Sequence, residues 1–436
     1  MAELEPRLGL FQVTMYGVGL ILGAGIYVLV GQAAALAGDL VWASFLLAAG
    51  VALFTGLSYA ELSAMYPKSA AEYVYVRKAF GSPFFAYLVG WLIVFAAVVS
   101  AATVALGFGG YLASLAGLPA IGSAILLIAV LSVVNFIGVR ESSWVNIIFT
   151  IVEAAGLVLI VVLGLTYGSP RPVRYLAAPM GLDGVFAAVA LSLFAFIGFE
   201  NIANIAEETK DPSRVLPRSF LLSILITAVA YTLVALSIVR VLDGAALGRS
   251  GAPLADVAGA VLGPGGGVAL SAVALFATSN TVLVLLVASS RILYGMAEQG
   301  SIPKALGRIH PRTHTPAIAV VTVMAIAIVF ALVGDITVVA NLSIFAIVFT
   351  FAVVNLAVIW LRYRQPDSPR PFRVPLHVGR FPVVAGLGLL TSVIGLLRFD
   401  LPTAAVGLGV VGVASLAYSV SPRAHRPTNG PGRLQS

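Results

Sequence analysis

The chain contains no cysteine, which excludes disulfides and thiolate metal sites. Charge is scarce: 10% of the 436 residues are charged, against about 25% in soluble domains. Histidine is nearly as rare. His310, His314, His377 and His425 all fall in expected loops or the tail, so an intramembrane histidine relay is excluded. Lysine is limited to Lys68, Lys78, Lys210 and Lys304, and none follows a glycine. That removes a Walker A loop, and with it ATP-driven transport by this chain. The run Gly17-x-Gly19-x-x-x-Gly23 has the wrong spacing for a dinucleotide fingerprint and no soluble βαβ unit around it. A membrane enzyme would need a deep cluster of His, Asp or Cys, or a nucleophile with its base, and none is visible. No selectivity-filter loop or ring of charge suggests a channel. No cofactor or metal is expected.

What is present is apolar. Hydrophobic residues make up 60% of the chain and mean hydropathy is +1.04, which predicts an all-α polytopic membrane protein. Twelve apolar stretches are expected, at roughly 9–35, 40–65, 82–115, 119–138, 143–167, 183–206, 216–240, 266–297, 316–333, 336–361, 381–397 and 401–420. The first is too long for a signal-peptide core. A net charge of +7 could suggest nucleic acid, but its distribution points to a bilayer. With the N-terminus inside, the external loops hold only Arg171, Arg174, Arg240, Arg249 and Arg398, and every lysine is internal. This is the positive-inside pattern, with both termini cytoplasmic and the cell membrane as the location. Single cysteines at Gly244 and Ser301 would report that orientation. Residues 1–8 form a polar lead, 9–167 a first set of five spans, 183–361 a second, and 381–420 a final pair. Residues 251–265 predict an external surface helix, and 421–436 a disordered cytoplasmic tail.

Gly23-Ala24-Gly25-Ile26 interrupts the first long apolar stretch. Each glycine costs about 1 kcal/mol of helix propensity relative to Ala, and freed backbone groups in hydrocarbon cost several kcal/mol more. Close helix packing through Gly19-x-x-x-Gly23 is one reading. The other is a broken helix whose restarted N-terminus receives a carboxylate. Shifting the first stretch by 175 positions brings Gly9, Phe11 and Gly23 onto Gly184, Phe186 and Gly198. Two interrupted segments at matching places in two halves point to a transporter site at a repeat interface.

The strings GLILGAGIY, SYAELSAMYP, FAFIGFENIANIAEETKDPSR and ASSRILYGMAEQG resemble the amino acid–polyamine–organocation (APC) transporter superfamily, over about residues 7–420. The resemblance implies a LeuT-like fold: five spans, an inverted repeat of five, and two extra helices. It implies an amino acid permease working by alternating access, with an exchanger, a sodium symporter or a non-transporting amino acid sensor as alternatives. The backbone of Gly23, Ala24, Gly25 and Ile26 is then expected to hold the substrate carboxylate. The carbonyls around Phe194, Ala195, Phe196 and Ile197 would receive its ammonium, with Gly198 as hinge. Phe194 resembles the aromatic that closes over substrate, against plain packing. Some relatives specialised for cationic amino acids carry an acid in the third span where Ala96 stands, so neutral or broad-range substrates are expected.

Two acids lie deep in apolar stretches, Glu153 and Glu200, and each must face protein or water. Glu200 could serve a gate or be structural. Some relatives place a lysine near the position of Glu153, acting in place of sodium. The opposite sign here leaves three readings: a proton carrier, an ionised ligand holding sodium with Thr278 or Ser279, or a structural carboxyl. A proton is favoured over sodium as coupling ion. Glu61 is expected to be a satisfied interfacial carboxylate, and Glu207 and Glu208 to pair with Lys210 and Arg214.

Overall fold

The first helix stops at Leu22 and a second starts at Ala24, with Gly23 between them in a non-helical conformation (φ −35°, ψ −158°). A computed structural model describes residues 6–68, 71–138, 143–167, 173–298, 302–313 and 315–420. Ser301, Arg171, His314 and the tail therefore lie outside the described residues. Within them the regular structure is helical apart from a two-stranded hairpin, β1 (His377–Val378) and β2 (Phe381–Pro382), and an isolated bridge between Leu8 and Thr209.

The helices before the midpoint are α1 (Leu10–Leu22), α2 (Ala24–Ala37), α3 (Val41–Met65), α4 (Ala71–Phe80), α5 (Pro83–Ala116), α6 (Ala120–Ile137) and α7 (Ser143–Tyr167). Then come α8 (Gly181–Phe196), a 3₁₀ segment (Phe199–Glu208), α9 (Pro212–Val241), α10 (Gly244–Arg249) and α11 (Pro253–Leu262). The last are α12 (Pro264–Glu298), α13 (Ala317–Ala331), α14 (Ile336–Arg364), α15 (Val383–Leu397) and α16 (Leu401–Val420).

Local chemistry sets the ends of these helices. Ser82 caps α5 by accepting from the Phe85 N–H at 3.2 Å, with Pro83 in the first turn. Asp335 caps α14 through the N–H groups of Thr337 and Val338 at 2.9 and 3.1 Å. Both devices satisfy donors that a helix start leaves unpaired.

Among the described residues, eight helical stretches are long and apolar enough to cross a membrane, or up to nine if the bent pair α15–α16 counts as one. The count is below the twelve apolar stretches because Gly25–Met65 runs the first two together, α13 is a shorter helix, and α15 and α16 enter only as one bent pair. The 251–265 piece is not a surface helix: Pro253, Leu254, Ala255, Val257 and Ala258 of α11 are buried, and α11 packs on α12. Gly244 is buried too, pressed against the Ala34 carbonyl, so it is a poor reporter of exposure.

The two broken helices organise the centre. α2 packs on α8, and α1 on the segment Phe199–Glu208. A methyl group at Gly25 would meet Ala195 Cα at 2.6 Å, and one at Gly198 would meet the Leu20 carbonyl at 2.7 Å. As residue numbers rise in one broken helix they fall in the other, so the pair crosses antiparallel with the breaks face to face.

Glu61 is buried. It accepts from Arg362 Nε at 2.8 Å, Arg362 Nη2 at 2.6 Å and the Val374 N–H at 2.7 Å, and pairs with Arg370 at 3.3 Å. It is the satisfied carboxylate expected, although its cations come from about 300 residues away. Breaking such a buried pair costs about 3–5 kcal/mol.

Candidate functional site

The second break matches the first. α8 ends at Phe196, Ile197 turns away (φ −58°, ψ 133°), and Gly198 takes φ 127°. Few residues other than glycine adopt that φ. The 175-residue shift therefore relates one observed break to the other, Gly23 to Gly198.

A cavity of about 90 Å³ lies between the breaks. Leu20, Ile21 and Gly25 line it from the first broken helix, and Phe194, Ile197, Gly198 and Glu200 from the second. α5 contributes Ile93, Ala96, Ala97 and Ser100; α12 contributes Asn280, Thr281, Val284, Leu285 and Ala288. Four helix ends meet here. The N-terminus of α2 carries partial positive charge, and the C-terminus of α8 partial negative charge. The arrangement suits a zwitterion.

The backbone inventory refines the expectation. The Gly23 N–H donates to the Gly19 carbonyl at 3.1 Å, so Gly23 shapes the turn. Ala24, Gly25 and Ile26 form the first turn of α2, where a helix has no acceptors of its own. At the other break, the Phe194 carbonyl accepts from the Ile197 N–H at 3.1 Å and the Ala195 carbonyl from the Tyr231 hydroxyl at 3.0 Å. Phe194 is 4% exposed and borders the cavity; Phe196 is fully buried and packs edge-on against Tyr231, 5.1 Å between ring centres.

Tyr231 did not stand out in the sequence. Its hydroxyl, brought in by α9, is shared between the carbonyls of Ile21 and Ala195. One side chain thus satisfies acceptors freed at both breaks, and ties the end of α1 to the end of α8. A lone tyrosine in an otherwise apolar stretch was the only available signal.

Glu200 is 4% exposed and turned back on the break. Its Oε2 accepts from the Gly198 N–H at 2.9 Å and its Oε1 from Asn201 Nδ2 at 3.2 Å. Glu153, on α7, is 1% exposed; Asn280 Nδ2 donates to its Oε1 at 3.4 Å, and its Oε2 has no partner among the described residues. The Thr278 hydroxyl donates to the Ala274 carbonyl and that of Ser279 to the Leu275 carbonyl, both at 2.7 Å. Asn280 was missed because helical register, invisible without the crossing angle, decides which of these neighbours faces α7. Glu207 pairs with Lys68 at 3.2 Å, and Arg214 with Asp211, in place of the Lys210 and Arg214 partnership expected. Ser100 projects a buried hydroxyl, with no partner among the described residues, from the cavity wall. No cluster of three or more metal-ligating side chains exists among the described residues.

Comparison with known proteins bears on this geometry. A family model described as amino acid permease matches residues 8–417. The branched-chain amino acid permease BcaP of Bacillus subtilis is 29% identical, over 98% of this chain and 95% of its own. An uncharacterized transporter of Mycobacterium tuberculosis is 32% identical, over 96% of this chain and 92% of its own. A vacuolar cationic amino acid transporter of Arabidopsis thaliana is 29% identical, over 84% of this chain and 65% of its own. These relatives are transporters, and the chain belongs to the amino acid permease family of the APC superfamily.

Proposed function

We propose that the protein is a secondary transporter of neutral amino acids with apolar side chains, working by alternating access in the cell membrane. One observation carries the reading: two helix breaks face each other across one cavity, offering a helix N-terminus on one side and carbonyls on the other. The substrate carboxylate sits at the N–H groups of Ala24, Gly25 and Ile26. Its ammonium meets the carbonyls of Phe196 and Ile197, the pair not already engaged by Ile197 N–H or Tyr231. Phe194 closes over it. The side chain lies toward Ile93, Ala96 and Ala97 on α5 and Leu285 and Ala288 on α12, a wall without charge. That wall favours a branched-chain over a cationic substrate.

A LeuT-like fold is supported by the antiparallel crossing of the breaks. Taking α1–α2 and α8 with Phe199–Glu208 as broken spans, and α13, α15 and α16 as spans of their own, yields five, five and two. The lysine and arginine distribution supports cytoplasmic termini.

Glu153 is the coupling group in this reading, with a proton as the ion. Its unpartnered Oε2 favours this role, because a carboxylate buried without a partner is costly. Reconstituted protein assayed with a panel of labelled amino acids tests both parts. Counterflow of leucine-like substrates, with uptake driven by a pH gradient, is expected. Glu153→Gln should lose gradient-driven uptake and keep exchange. A sodium requirement with indifference to pH contradicts the proton reading, and binding without counterflow selects a sensor.

A further inference from the structure

A further buried carboxyl lies outside the cavity. Glu72 belongs to α4, a helix of ten residues too short to span a bilayer, yet it is only 4% exposed. The Tyr59 hydroxyl of α3 donates to its Oε1 at 3.1 Å. Among the described residues no cation is bonded to it. What α5 and α14 lay against α4 is apolar, with Ala86 and Val89 from one and Phe349 and Val353 from the other. The titratable groups facing Glu72 are Tyr59, Tyr75 of its own helix and Glu200; Arg77 and Lys78 follow at the far end of α4. Burial pushes its carboxyl up to about 7, against hydrogen bonds from its own N–H and from Tyr59.

Two connections run from this end of α4 to the cavity, one reaching its backbone beside Glu72 and one reaching the carboxyl itself. Through side chains, Glu200 accepts from Asn201 Nδ2 at 3.2 Å, Asn201 Oδ1 accepts from Asn204 Nδ2 at 3.4 Å, and Asn204 Oδ1 accepts from the Ala71 N–H at 3.2 Å, one residue before Glu72. Through space, Tyr59, bonded to Glu72, is close enough to feel both charges, and Glu72 and Glu200 repel each other when both are ionised. The Tyr59 ring is packed against Phe199, Phe220 and Phe351 at 5.8, 5.9 and 6.2 Å between centres. That apolar surround keeps the repulsion unscreened.

We propose that Glu72 is a proton-binding site on the cytoplasmic side of the cavity, linked to Glu200 through Tyr59 and the Asn201–Asn204 chain, whose charge controls inward opening at the second break. The proposal rests on the transport reading above. With a proton on Glu72, α4, Tyr59 and the Phe199–Glu208 segment hold together. Movement of that segment inward admits water, and the proton passes from Glu72 to it.

Full-length protein as wild type, Glu72→Gln and Tyr59→Phe would be compared in proteoliposomes. Leucine exchange would be followed from about pH 5 to about pH 9, equal on both sides. Wild-type exchange should show an inflection near pH 7, where Glu72 titrates. Glu72→Gln should lose it. Tyr59→Phe should move it to higher pH, because it removes a donor that favours the ionised carboxylate. Melting of the same proteins in detergent supplies a readout independent of transport. A carboxyl that holds its proton more tightly folded than unfolded loses stability as pH rises between its two pKa values. The wild type should therefore match Glu72→Gln near pH 4 and melt lower than it above pH 7. An unchanged inflection in Glu72→Gln, or melting curves that differ by the same amount at every pH, would overturn the proposal. Should wild type exchange nothing at any pH, the transport reading fails, and the melting comparison alone decides whether Glu72 binds a proton.

Discussion

Gly25→Ala adds one methyl group at the closest approach of the two broken helices. Its carbon would lie 2.6 Å from Ala195 Cα, 3.2 Å from Ala195 Cβ and 3.3 Å from Ala195 N. Carbon atoms pack at about 3.5–4.0 Å, so the shortfall is roughly 1 Å, against backbone that no rotamer change can move. Overpacking of this kind costs about 1–3 kcal/mol. Borne by the ligand-binding arrangement, that cost weakens binding about 5–150-fold. Gly50→Ala is the control, since nothing lies within 4 Å of its new carbon, and it gains up to about 1 kcal/mol of helix propensity. Equilibrium binding of labelled leucine to purified protein, with melting of the ligand-free protein, separates lost affinity from lost fold. Gly25→Ala should bind weakly, and Gly50→Ala as wild type. Wild-type affinity in Gly25→Ala would refute the reasoning and return this break to a packing role.

Ala96→Glu puts a carboxylate in the apolar wall; lysine should then compete for the site while leucine affinity falls at least about tenfold, measured by competition binding. For orientation, Leu176, 82% exposed, replaces the buried Gly244, and exposed Lys304 replaces Ser301. Leu176→Cys should react with an impermeant thiol reagent from outside, and Lys304→Cys only after permeabilisation.

The breaks were legible because glycine in an apolar run is a local signal: Gly23 and Gly198 carry the interruption in their own backbone. Ala96 was legible as an absence. The partners were not. Tyr231, Asn280 and Arg362 act across 36 to 301 positions of sequence, and only the crossing of helices decides which face each presents. Glu72 was hidden differently. It stands in a polar, charged stretch that reads as a solvated loop, whereas α4 packs on α5 and α14 and buries it. The 251–265 piece was misread for a related reason, since its short apolar run gave no sign of the groove against α12 that receives it.

The central claim is that one amino acid bridges the two breaks. A structure of the protein determined with leucine bound tests it most directly. The account predicts the carboxylate at the N–H groups of Ala24, Gly25 and Ile26, the ammonium at the carbonyls of Phe196 and Ile197, and the side chain beside Ala96. Leucine bound away from the breaks, or with its two charged ends exchanged, would contradict it.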